Sequence, residues 1–140
     1  MSSDNSETRD RILDAAWTLL EERAGSGVRM SDIARQAGIS RQAVYLHFPT
    51  RAELLVALTR HIDRVKDTDK RLEASRSAAG GLERLDAFID AWGNYIPEIH
   101  GVARALIAMK DTDEAAAAAW DDRMQAVRHG CKAAVKALHE

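Results

Sequence analysis

Apolar residues recur every three or four positions along most of the chain, and no stretch shows the strict alternation of a β-strand. The first stripe predicts an amphipathic helix from Ser6 to about Arg23, after a disordered polar arm at residues 1–5. The Gly-Ser-Gly run at residues 25–27 is predicted to end this helix. The apolar positions of the stripe are Ile12, Leu13, Ala16, Leu19 and Leu20.

Residues 30–48 predict two short helices joined by a tight turn. Ser31 is suited to cap the first helix, and Gly38 can adopt the left-handed backbone conformation that ends it. Ser40 then caps a second helix, which turns Val44 towards the core. This arrangement is a helix-turn-helix, whose exposed second helix reads DNA in many proteins, although a purely structural pair of helices can share the pattern.

A longer helix is predicted after Pro49, which cannot continue the preceding helix. Thr50 and Glu53 have the spacing of a capping box, so the new helix begins there. Its apolar stripe persists towards Leu72 and predicts a long helix that links the first domain to a second layer. The stripe consists of Leu54, Leu55, Leu58, Ile62 and Val65.

The second half of the chain also has helical periodicity. Small and turn-forming residues at 75–81 predict a linker. A stripe of large apolar residues then predicts a helix over 82–109, which Pro97 breaks or kinks. The alanine-rich segment 114–138 predicts a final long helix.

Together these elements predict an all-α fold, in which a three-helix helix-turn-helix domain is joined by the long helix to a second helical layer. We place the boundary between a first domain at residues 1–66 and a C-terminal region at residues 67–140. The chain has a net charge of −2, yet five arginines face only two acidic residues between positions 27 and 60. The basic excess therefore lies on the helix-turn-helix, which favours a nucleic-acid partner.

The sequence lacks the residues that several classes of function need. The histidines are scattered and Cys131 is the single cysteine, so no catalytic arrangement, metal site or other cofactor is predicted, and the protein is not expected to be an enzyme. Asp111, Asp113 and Glu114 are typical of a polar turn and a helix N-cap. The polar N-terminus and the absence of a long apolar run predict a cytoplasmic protein with no membrane association.

Two sets of side chains remain as candidates for binding. The second helix of the helix-turn-helix, residues 40–48, leaves four side chains outside: Arg41, Gln42, Tyr45 and His47. Arg51 lies in the first turn of the next helix, where free N–H groups favour a phosphate. The other set either lines an apolar cavity with a few polar groups or packs as core. It consists of Trp92, Tyr95, Ile96, Ile99, His100, Val102, Trp120 and Met124.

These residues give about the first 60 positions a resemblance to the TetR family of bacterial transcriptional regulators. The most specific part is the Tyr-x-His-Phe run that closes the second helix, followed by a basic residue and two leucines. The residues that carry the resemblance are Arg9, Ile12, Leu13, Ala15, Ala16, Asp32, Ile33, Ala34, Ala37, Gly38, Ile39, Ser40, Val44, Tyr45, His47, Phe48, Pro49, Arg51, Glu53, Leu54 and Leu55.

The resemblance implies a ligand-responsive repressor that binds double-stranded DNA as a homodimer on a palindromic operator. Its recognition helix would enter the major groove, where Arg41 and Gln42 would read bases. A small apolar or amphipathic effector would bind the C-terminal region. Tyr45, His47, Thr50 and Arg51 would contact phosphates and set the register of the helix on the duplex. The other expected DNA-binding residues are Ser31 and Ser40.

Members of the family usually continue with two further helices that form the dimer interface. The C-terminal region of this chain is therefore expected to be incomplete relative to the family. A second hypothesis follows, in which a truncated regulator acts as an interaction module and pairs with another subunit through uncovered apolar surface.

Overall fold

The computed structural model describes residues 2–24 and 27–140, which fold into helices connected by short turns. The predicted all-α class is confirmed, because no strand occurs within these two ranges. None of the described helices contains a stretch long and apolar enough to cross a membrane. The helices are α1 (Ser2–Arg23), α2 (Met30–Ala37), α3 (Arg41–His47), α4 (Arg51–Val65), α5 (Thr68–Arg71), α6 (Glu73–Arg76), α7 (Gly81–Met109) and α8 (Glu114–Ala137).

Helix α1 extends further towards the N-terminus than the apolar stripe predicted. The prediction of a disordered arm is wrong for residues 2–5, which are helical. Asp4 lies in the first turn, where the helix dipole favours a carboxylate. At the other end α1 stops at Arg23, and residues 25 and 26 of the predicted stop signal lie outside the described residues.

Helices α2 and α3 form the predicted helix-turn-helix. Gly38 has a φ of +73°, the left-handed conformation that lets α2 end without a steric clash at a Cβ atom. The Ser40 hydroxyl accepts a hydrogen bond from the Ala43 backbone N–H at 3.0 Å, which starts α3 as expected. Val44 is fully buried and fixes α3 on the core.

The start of α2 differs from the prediction. Ser31 does not cap the helix, because α2 already begins at Met30. Asp32 stabilises this end instead, since its carboxylate accepts the backbone N–H of Arg29 at 2.9 Å. That hydrogen bond and the guanidinium of Arg23 outweigh burial and hold the pKa of Asp32 below its ordinary value.

One apolar core runs through both halves of the chain. Helix α1 contacts α2, α4 and α7, and α8 packs along α4 and α7, so the helix-turn-helix and the C-terminal helices share buried residues. Arg11 also ties α1 to α2, since its Nη2 donates to the Ala37 carbonyl at 2.6 Å. The largest fully buried aliphatic side chains are Ile12, Leu13, Leu20, Val28, Ile33, Val44, Leu54, Leu55, Leu58 and Leu106.

The connecting helix is shorter than predicted. It ends at Val65 instead of continuing to about Leu72, and two single-turn helices follow. Asp67 has a φ of +57°, a left-handed conformation that interrupts a right-handed helix. The Arg71 Nε donates to the Lys66 carbonyl at 2.8 Å and holds the chain in this turn. The periodic stripe therefore spans a break in the helix at Lys66 and Asp67.

Helices α7 and α8 form an antiparallel pair that completes the fold. Pro97 does not break α7, which continues to Met109, although Pro97 offers no N–H to the carbonyl one turn earlier. Asp113 caps α8 as predicted, accepting from the backbone N–H groups of Ala115 and Ala116. The buried alanines at the start of α8 let its backbone approach the neighbouring helices closely.

Candidate functional site

The outer face of α3 presents the predicted reading side chains to solvent. Arg41 and Gln42 are exposed in its first turn, and Gln42 lies on the side opposite the buried Val44. Leu46 lies one turn after Gln42 on this face and is 80% exposed. Leu46 is not among the residues predicted from the sequence to bind DNA, although its spacing of four positions from Gln42 indicates that the two share a helix face. The helix thus offers two hydrogen-bonding side chains and one apolar side chain side by side.

Two arginines lie over aromatic rings at the ends of α3. The Arg41 guanidinium carbon lies 5.3 Å from the centre of the Tyr45 ring, and that of Arg9 lies 5.0 Å from the centre of the Phe48 ring. Such cation–π contacts restrict the side chains without neutralising their charge. His47 is half-buried at the end of α3. The positive charges are therefore positioned around the exposed helix.

The expected phosphate-contacting residues at helix starts lie close to this face. Thr50 forms the predicted capping box, because its hydroxyl accepts the Glu53 N–H at 3.1 Å and the Glu53 carboxylate accepts the Thr50 N–H at 3.1 Å. Ser40 is exposed, and Ser31 is half-buried in the first turn of α2. The capping interactions fix where the free N–H groups of these helices lie.

A cleft of about 1040 Å³ separates the helix-turn-helix from the turn between α7 and α8. Four of the expected DNA-binding residues line it: Ser31, Arg41, Tyr45 and Arg51. Across the cleft lie Asp113 and Glu114, at the start of α8. Positive and negative side chains thus face each other where α3 and the start of α4 meet the turn between α7 and α8.

Arg51 does not project freely from the first turn of α4. Its Nε and Nη2 donate to the same oxygen of Asp113 at 3.1 and 2.9 Å, and both side chains are only about one-fifth exposed. Partial burial alone would raise the pKa of Asp113. The bonds and charge of Arg51 outweigh that effect and lower it, so the carboxylate is charged at neutral pH.

A second and larger cleft, of about 1490 Å³, lies between α4, α7 and α8. Its wall is mostly apolar, and seven of the eight side chains proposed for a cavity line it: Trp92, Ile96, Ile99, His100, Val102, Trp120 and Met124. Arg123 also lines it. In the described part of the chain, the buried Trp92 Nε1 and Arg123 Nε have no hydrogen-bond partner.

Tyr95, the remaining proposed cavity residue, lies outside the cleft lining. It is buried beside α4, where its hydroxyl donates to Asp63 Oδ1 at 2.7 Å and the guanidinium of Arg71 lies 5.0 Å from its ring centre. Burial and the neighbouring Asp63 raise the pKa of Tyr95. Arg123 of α8 pairs with the other oxygen of Asp63. Tyr95 therefore joins α7 to α4 and α8.

Comparison with known proteins gives a match to one family over the segment that contains the helix-turn-helix. Residues 12–58 match the family described as bacterial regulatory proteins, tetR family. This segment extends from the middle of α1 into α4 and contains the whole helix-turn-helix.

Three curated relatives are transcriptional regulators by name. The HTH-type transcriptional regulator CymR of Pseudomonas putida is 31% identical over 114 residues, which cover 78% of this chain and 54% of that protein. EthR of Mycobacterium tuberculosis, also an HTH-type transcriptional regulator, is 30% identical over 122 residues, or 81% of this chain and 53% of EthR. The HTH-type transcriptional activator FasR of Mycolicibacterium smegmatis is 32% identical over 91 residues, or 64% and 41%.

The chain spans about half the length of the curated relatives that it matches. No solved structure matches it significantly.

Proposed function

The chain belongs to the tetR family of bacterial regulatory proteins through residues 12–58, and on that basis we propose that it is a ligand-responsive transcriptional repressor that binds double-stranded DNA. The observation that carries the proposal is the exposed face of α3, where Arg41 and Gln42 project from a helix fixed by the buried Val44. A helix held in this way can enter the major groove and place side chains against base edges. The comparisons favour this function over a separate interaction module.

The side chains on and around α3 divide into two roles. Arg41 is suited to guanine O6 and N7, Gln42 to adenine, and Leu46 to the methyl group of thymine. The surrounding polar groups are suited to phosphates and set the register of the helix on the duplex: Ser31, Ser40, Tyr45, His47, Thr50 and Arg51. Sequence specificity would then come from α3, and much of the affinity from its surroundings.

We further assign residues 1–66 to DNA binding and residues 67–140 to regulation and assembly. A homodimer would place two copies of α3 in successive major grooves, about 34 Å apart, on a palindromic operator. A protein with this role works where the bacterial chromosome lies, in the cytoplasm.

The apolar cleft between α4, α7 and α8 is the proposed effector site. Its apolar wall suits a small apolar or amphipathic molecule. The cleft adjoins α4, which leads directly to the helix-turn-helix.

Selection of duplexes with random central sequences tests DNA recognition and assembly together. The full chain is incubated with the pool at low and at near-physiological salt, and the retained duplexes are sequenced. We expect enrichment of an inverted repeat with half-sites about one helical turn apart. A lone half-site would overturn the homodimer, and no enrichment at either salt concentration would overturn sequence-specific DNA binding.

Binding of anilinonaphthalene sulfonate, an apolar aromatic anion, tests the effector cleft. Trp92 and Trp120 line the cleft, so bound dye should quench their fluorescence by energy transfer. Met124→Glu places an unpaired charge in the cleft and should weaken dye binding by on the order of tenfold, or about 1.4 kcal/mol. Leu82→Glu is the matched control, because Leu82 is 73% exposed and lies outside the cleft. Equal effects of the two substitutions would contradict the assignment.

A further inference from the structure

The ion pair between Arg51 and Asp113 joins two parts of the protein with different proposed roles. Arg51 is the first residue of α4 and follows the recognition helix after a three-residue turn. Asp113 lies immediately before α8, 62 positions further along the chain. The pair therefore connects the DNA-reading surface with the helices that line the apolar cleft.

Asp113 is held firmly enough to fix the position of Arg51. One of its carboxylate oxygens accepts from the backbone N–H groups of Ala115 and Ala116, at 3.0 and 3.4 Å. The other accepts both bonds from Arg51. Because the carboxylate is anchored to the N-terminus of α8, the guanidinium is drawn towards α8 and away from solvent.

This geometry opposes contact between Arg51 and a DNA phosphate. Two of the five N–H groups of the guanidinium already donate to the Asp113 carboxylate, so a phosphate would meet fewer donors and a charge that is already partly neutralised. A phosphate in the cleft would also meet the negative charges of Asp113 and Glu114. The Asp113 carboxylate and a DNA phosphate therefore compete for the guanidinium of Arg51.

We infer that Asp113 is a positioning residue that withholds Arg51 from the DNA backbone, so that separation of the α7–α8 turn from α4 raises affinity for DNA. The inference rests on the proposed function, because it requires Arg51 to face a duplex. It gives the C-terminal helices a direct way to change DNA affinity. Movement of α7 or α8, which line the effector cleft, makes or breaks one ion pair at the reading surface.

Asp113→Asn tests this inference in the full chain. Asparagine is as good an N-cap as aspartate, so α8 keeps its start while the charge that holds Arg51 is removed. Affinity for a fluorescent duplex of random sequence is measured over a series of salt concentrations. We expect binding about tenfold tighter than for the wild-type chain at low salt, since a charge-assisted bond to phosphate is gained. The slope of log affinity against log salt should steepen by about 0.9, as for one added phosphate contact.

Asp111→Asn is the matched control. Asp111 lies in the same turn and loses the same charge, but its side chain is 84% exposed and pairs with Lys110. Its substitution should change affinity by less than about twofold, because an exposed charge is largely screened. In an Arg51→Gln background, Asp113→Asn should have no further effect on affinity or salt slope. Equal gains from the two aspartate substitutions, or a gain that persists without Arg51, would overturn the inference in favour of a general charge effect.

Two other outcomes separate this inference from the proposed function. If the wild-type chain binds the duplex and Asp113→Asn leaves binding unchanged or weaker, Asp113 does not withhold Arg51 and only the inference fails. If neither the wild-type chain nor any variant binds a duplex at low salt, the proposed DNA binding fails and the inference fails with it.

Discussion

Leu58→Ala is expected to lower the free energy of unfolding by about 2–5 kcal/mol, the cost of truncating a fully buried leucine. Leu58 is 0% exposed in the middle of α4, and α4 contacts both α1 and α8. A cavity there removes packing from the helix-turn-helix side and from the C-terminal side at once. Urea unfolding followed by circular dichroism measures the change.

Leu82→Ala provides the comparison for this experiment. Leu82 is largely exposed in the first turn of α7, so its truncation should change stability by no more than about 0.5 kcal/mol. Similar losses for the two leucines would contradict the shared core. Two separate unfolding transitions, of which Leu58→Ala shifts only one, would show that the two halves fold independently.

Arg41→Ala is expected to remove about 1–3 kcal/mol of discrimination at one base pair in each half-site, the value of a bidentate base contact. Arg41 is exposed on the reading face of α3 and lies over the Tyr45 ring, which orients its guanidinium. Gln42→Ala should relax the preference at a different base pair by a similar amount. Sequencing of the duplexes that each variant selects shows which positions lose their preference.

Tyr45→Phe is the control for the base-reading role. Phenylalanine keeps the ring beneath Arg41 but lacks the hydroxyl that we assign to a phosphate. Its affinity should fall by a similar factor on every sequence, with the selected bases unchanged. If Arg41→Ala and Gln42→Ala also weakened all sequences equally, the division between base readers and phosphate contacts would be wrong.

The helix-turn-helix could be predicted almost to the residue because its signals are local. Gly38 in the left-handed conformation, Ser40 as a cap and the Thr50–Glu53 capping box each depend on a few neighbouring residues. The one local error, Ser31 as a cap, arose because Asp32 on the same turn satisfies the helix start through its carboxylate. Ser31 and Asp32 are adjacent and both are residue types that cap helices, so the sequence alone did not show which of them stabilises the start of α2.

The end of the connecting helix could not be predicted from the hydrophobic pattern. The apolar stripe continues beyond Val65, and nothing nearby in sequence marks Asp67 for a left-handed conformation. A side-chain bond from the Arg71 Nε to the Lys66 carbonyl holds the break, and hydrophobic periodicity does not reveal such a bond. The pairing of Arg51 with Asp113 could not be predicted either, because the sequence already suggested a local role for each residue. Arg51 was expected to contact a phosphate, and Asp113 was expected to cap a helix.

The apolar cleft shows where periodicity alone is ambiguous. A helical stripe of large residues has the same pattern whether it lines a cleft or fills a core. Ile96 is half exposed, whereas Tyr95, its neighbour, is buried against Asp63 and Arg71. Only the packing of α4 and α8 against α7 separates these two environments.

Pro97 makes α7 easier to bend where this helix forms part of the wall of the apolar cleft. Because proline has no N–H, the carbonyl of Gly93 has no donor one turn later, and the helix can bend at this point without breaking a further hydrogen bond. Gly93 and Ile96 both line the cleft, and a Cβ atom at Gly93 would meet only open space. The cleft can therefore widen by local flexing of α7 while both ends of the helix stay packed, and the proposed effector site would then accept molecules of different width.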